Sequence, residues 1–109
     1  NPRRYDFQNA LSTIKAQAGP GDVVVLAPAY LHPLVTYYQP ELHAVDERGK
    51  TSETVSLTTT DRHVFVLGSF FDVGGERQRV NDLLAGYRKG SRQVVHEWHF
   101  ANVKVWELS

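Results

Sequence analysis

The sequence predicts an α/β protein, specifically a three-layer α/β/α, Rossmann-like domain whose mixed sheet ends in an antiparallel hairpin. Three observations carry this. Amphipathic helical segments alternate with strand segments, the order expected of helices laid against a largely parallel sheet. Val23-Val24-Val25-Leu26 is a continuous apolar run, as in a strand covered on both faces. Val94 to Phe100 and Val103 to Leu108 instead alternate around Ala101-Asn102, as the two arms of a hairpin do.

The first helix is set by Phe7, Ala10, Leu11, Ile14 and Ala18, which fall on one face at the 3.6-residue period. Asp6 precedes it as an N-cap whose carboxylate can accept from free backbone N–H groups. Gly19 is the expected C′ residue, Pro20 blocks continuation, and Gly21-Asp22 completes the turn into strand one. Pro28 ends that strand. Pro33 opens a second helix carrying Leu34, Val35 and Tyr38, and Pro40 closes it. Leu42 to Val45 reads as a short second strand and Asp46 to Thr54 as a polar surface loop; Val55 to Leu57 fits either a strand edge or a helix start. His63 to Gly68 is the third strand. Gly74-Gly75 breaks the chain before a helix from about Glu76 to Tyr87, with an apolar stripe of Val80, Leu83, Leu84 and Tyr87 and Gly90 as its cap.

A length of 109 residues fits one domain, with 41% hydrophobic and 22% charged residues, both ordinary globular values. Twelve basic and twelve acidic residues cancel, which removes any general electrostatic draw toward nucleic acid. The absence of Cys excludes disulfides, Cys-based zinc sites and thiol chemistry. The absence of Met makes the sequence read as a piece of a longer chain. No apolar run approaches the roughly 20 residues of a membrane span, so any anchor is expected outside residues 1–109.

No segment carries a complete catalytic pattern. Strand one runs into Ala27-Pro28-Ala29-Tyr30 rather than a glycine-rich turn, so a dinucleotide fingerprint is missing. Gly74-Gly75-Glu76-Arg77 precedes a helix but lacks a Lys-Ser/Thr pair, and Glu76 would repel a phosphate. His96-Glu97-Trp98-His99 places its histidines three apart in a strand, on opposite faces, whereas a zinc-binding pair needs helical spacing of four. His32, His43 and His63 read as surface or capping residues. No nucleophile elbow surrounds Ser69. We therefore expect no catalytic residue, no metal and no cofactor. Asp72 is a candidate ligand-binding residue because it follows a strand's C-terminal end, where open α/β sheets hold their ligands. Tyr30, Tyr37 and Tyr38 are candidates of a second kind. They follow strand one as Phe70 and Phe71 follow strand three, so parallel strands would bring them to one sheet edge, and aromatic faces with polar tips suit sugars or partners. The simpler reading of these aromatics is core packing.

Tyr5-Asp6-Phe7, the helix after it, Ala18-Gly19-Pro20-Gly21-Asp22-Val23-Val24-Val25, Pro28-Ala29-Tyr30-Leu31 and Tyr37-Tyr38 together resemble a pattern late in bacterial polytopic membrane glycosyltransferases of the GT-C class, similar to protein mannosyltransferases and lipid A aminoarabinose transferases. The hairpin with Trp98, Phe100, Val103, Val105 and Trp106 is similar in style to their closing strands. The resemblance spans nearly the whole chain in element order and is strongest over Tyr5 to Tyr38. It implies an accessory, extracytoplasmic domain of an enzyme of the cell membrane that uses polyprenyl-phosphate sugar donors. The partners it implies are the parent's membrane helices and a carbohydrate or glycan acceptor. The catalytic acid of that class lies in an early loop near the membrane, and no residue here matches it. Two alternatives stay open: a structural or interaction domain, and a stand-alone Rossmann-like enzyme.

Overall fold

The computed structural model describes residues 5–19, 21–27, 32–42, 44–46, 63–69 and 75–109. In chain order the elements are α1 (Phe7–Gln17), β1 (Val23–Ala27), α2 (His32–Tyr38), β2 (Ala44–Asp46), β3 (Val64–Ser69), α3 (Glu76–Lys89), β4 (Val94–Phe100) and β5 (Val103–Leu108). The alternation read from the sequence is therefore present. The expected start of strand two at Leu42 shifts to Ala44, and the third helix runs two residues beyond Tyr87. Pro28, His43, the loop after Asp46, Val55 to Leu57 and Phe70 to Gly74 lie outside the described residues.

The described strands form one mixed sheet in the order β2-β1-β3-β5-β4. Strand β1 is parallel to both β2 and β3, and β5 runs antiparallel to β3 and to β4. An α/β protein with a parallel centre and an antiparallel edge hairpin is what the periodicities predicted.

Two apolar clusters divide the sheet by the two-residue alternation of its strands. Val24 and Leu26 of β1, Phe65 and Leu67 of β3, and Val103 and Val105 of β5 join Phe7, Ala10, Leu11 and Ile14 of α1 and Val35 of α2. The intervening residues Val23, Val25, Val64, Val66, Trp106 and Leu108 join Val80 and Leu84 of α3. Strands β1 and β3 are buried along their whole length, so an uninterrupted apolar run was needed in β1.

Local signals set the ends of the elements. The Asp6 carboxylate caps α1, accepting from Asn9 N–H at 3.2 Å, and the Asp6 N–H donates to Ala101 O at 3.0 Å, tying the helix start to the β4–β5 turn. At the other end of α1 the left-handed backbone belongs to Gly21, with φ 86°, rather than to Gly19. The Asp22 carboxylate meets the chain just past the helix, its Oδ2 accepting from Gly19 N–H at 2.8 Å. Its Oδ1 accepts from His63 N–H at 3.0 Å, so this one carboxylate joins the α1–β1 turn to the start of β3. Gly90 sits at the C-cap of α3 as expected, but Ser91 takes the left-handed conformation, with φ 79°.

Candidate functional site

Of the four candidate ligand-binding residues, Tyr30 and Asp72 lie outside the described residues. Tyr37 and Tyr38 occupy the last turn of α2, with ring centroids 4.9 Å apart and planes nearly perpendicular. Neither is core: Tyr37 is 78% exposed and Tyr38 36%. The packing reading fails here because only one stripe of the short helix can face the sheet, and Val35 fills it.

Their location also corrects the expectation that they share the C-terminal edge of the strands. A seven-residue helix advances about 10 Å, and α2 returns the chain from the end of β1 toward the start of β2. The pair therefore lies toward the N-terminal ends of the parallel strands. Just beyond it, Glu41 and Leu42 meet Lys15, Gly19, Gly21 and Asp22 around a cleft of about 330 Å³. Lys15 Nζ bridges the cleft to Glu41 Oε1 at 2.8 Å. The Lys15 hydrogen bond, with its positive charge, holds the Glu41 carboxyl below the ordinary carboxylate range.

At the same end of the sheet is a side-chain cluster that sequence reasoning missed. The Glu107 carboxylate on β5 is buried, and both its oxygens are occupied. Oε2 lies 2.6 Å from His63 Nδ1, just before β3, and Oε1 lies 3.0 Å from His96 Nδ1 on β4. One carboxylate thus ties three adjacent strands together. A β-bulge between Val94 and His96 makes this possible. Val94 belongs to the α3 side, so strict alternation would send His96 there too. The extra residue, Val95, reverses the phase and turns His96 to the face of Glu107, Trp98 and Phe100. His99 stays on the opposite face and pairs with Glu97, as the spacing of three required. The signal in the sequence was Glu107 itself. It continues the buried row of Val103 and Val105, where an unpaired charge would be costly.

An ionised carboxylate only accepts, so each ring bonded to it presents Nδ1–H, and in a neutral imidazole Nε2 is then the acceptor nitrogen. A carboxylate-oriented imidazole is one part of a triad. The Ser69 hydroxyl, however, donates to Asn102 O at 2.9 Å, at the far end of β3 from His63. Six residues of strand separate the two by roughly 20 Å. Among the described residues no group of three or more His, Asp or Glu side chains is arranged to hold a metal ion.

The opposite end of the sheet carries Glu76, in the first turn of α3. It is buried, with Oε1 3.2 Å from Arg79 and Oε2 without a hydrogen-bond partner among the described residues. The α3 macrodipole favours a carboxylate at that position. No described helix is long and apolar enough to cross a membrane. No family model, curated protein or solved structure matches this chain.

Proposed function

We propose that this chain is an accessory, non-catalytic domain of a membrane glycosyltransferase, working outside the cytoplasm of a parent that uses polyprenyl-phosphate sugar donors. In this reading its fold is the three-layer α/β/α, Rossmann-like one, and its task is to hold a carbohydrate or glycan acceptor. The observation that carries the binding role is the exposed, edge-to-face Tyr37–Tyr38 pair, which closely precedes in sequence the cleft residues Glu41 and Leu42. Ring faces of this kind cover the C–H face of a sugar while phenol hydroxyls and the cleft's carboxylates and ammonium bond its hydroxyls. The separate α1/α2 and α3 clusters on alternate strand residues support the three-layer arrangement.

The purely structural alternative expects these rings to be inaccessible, and Tyr37 is not. The stand-alone enzyme draws support only from the oriented imidazoles, and the remoteness of Ser69 counts against it. Two experiments test the proposal. Neutral oligosaccharides added to the ¹⁵N-labelled domain should shift resonances of Tyr37, Tyr38 and Glu41, and Tyr37→Ala should weaken the response. A hydropathy plot of the reading frame flanking the chain should show several apolar spans of about 20 residues; a frame without them would sink the glycosyltransferase assignment.

A further inference from the structure

We infer a second saccharide site, formed by the imidazoles of His63 and His96 with the indole of Trp98 and separate from the Tyr37–Tyr38 pair. The inference rests on the carbohydrate-binding reading above and adds a site with its own chemistry. Glu107 is buried and gives one oxygen to each Nδ1, so its hydrogen-bonding capacity goes into fixing two rings rather than into meeting a ligand. The rings themselves stay accessible, with the His63 and His96 side chains 42% and 62% exposed. In its neutral form, a ring that donates Nδ1–H to Glu107 keeps Nε2 as a hydrogen-bond acceptor. Two fixed acceptors suit a ligand rich in hydroxyl donors.

Trp98 supplies the complementary surface. It lies two residues along β4 on the same face as His96, half-buried against the α1 cluster, with its ring 5.3 Å from the His96 ring and tilted by 32°. Indole and imidazole thus set two aromatic rings side by side, a surface of the kind that suits the C–H face of a sugar. The bulge at Val95 creates this surface, since without it His96 and Trp98 would not fall in phase with Glu107. Charge selects the ligand class. With neutral rings, a phosphate or carboxylate group would meet two acceptor nitrogens over the Glu107 carboxylate, and a metal ion lacks a third ligand among the described residues. A neutral sugar meets neither obstacle.

The test begins with the imidazole nitrogens of the ¹⁵N-labelled domain, which should report Nδ1–H for both His63 and His96. Cellotetraose and maltotetraose are then titrated separately. We expect at least one to shift the His63 and His96 rings together with the Trp98 indole N–H. His96→Ala, at an exposed position, should weaken that response about tenfold, the worth of one well-formed hydrogen bond, while Tyr37→Ala leaves it intact. His63→Ala provides a second variant should His96→Ala alter the circular dichroism. Glu107→Gln tests positioning: one ring should convert to the Nε2–H tautomer and binding should weaken although both imidazoles remain. Shifts confined to Tyr37, Tyr38 and Glu41 would overturn this site and leave the earlier reading standing. No shift with either sugar would remove both. Ring shifts with zinc chloride but not with sugar would make it a metal site and overturn the inference.

Discussion

Strands β3 and β4 lie two places apart in one sheet and are built on opposite rules. Every residue of β3 from Val64 to Ser69 is buried, whereas β4 exposes most of its side chains and buries none fully. The interior strand is held by apolar contact on both faces and tolerates no irregularity. The edge strand has one free side, so it can absorb an extra residue at Val95 and use the phase change to aim a histidine. Stability is concentrated in the middle of the sheet, and adaptable polar chemistry is placed at its margin.

Substitutions can break or sharpen this contrast. The largest effect belongs to the interior: Phe65→Ala should lower unfolding free energy by about 3–5 kcal/mol, read by urea denaturation, because Phe65 is wholly buried. Glu107→Ala, at the boundary between the two regimes, should cost about 2 kcal/mol, since two imidazole donors lose a charged acceptor but can turn to water. A loss as large as that of Phe65→Ala would mean that polar stapling, rather than apolar packing, holds the hairpin to the sheet.

Tyr87 reports on the α3 side, where it packs against the cluster containing Val94. Burial pushes its phenol up to about 12, only partly offset by the nearby Arg92 charge. A raised phenol favours the folded state while neutral, so the effect is constant below the unfolded value near 10. Stability should then fall on the order of 2 kcal/mol as pH rises from there toward 12. The difference between wild type and Tyr87→Phe across that interval isolates it from other titrating groups. The smallest effect belongs to the edge. Val95→Ala should change stability by no more than about 0.5 kcal/mol, because the side chain is exposed; a larger loss would show that the bulge needs its β-branched residue.

The parts of the fold legible in the sequence were those governed by local period and by capping chemistry. The stripe from Phe7 to Ile14, the Asp6 cap, the apolar run of β1 and the alternation of β5 each report a single element's environment, and each reads directly. The helix stop after α1 was legible, but the role of Asp22 was not: the left-handed residue is Gly21 rather than Gly19, and the two Asp22 oxygens accept from Gly19 N–H and from His63 N–H, far away in the chain. Tyr37 and Tyr38 were legible as a pair, while their end of the sheet depended on the direction of α2.

The sequence by itself determined the class of the domain, the order of its elements and the existence of a closing hairpin, because hydrophobic period and turn residues act over a few neighbours. Only the tertiary structure decided which face His96 takes and what Glu107 does. Both depend on one unpaired residue at Val95 and on register across β3, β5 and β4. A one-residue change of phase turns a side chain to the other face of a sheet, and pairing between strands distant in sequence leaves no periodic trace in either of them.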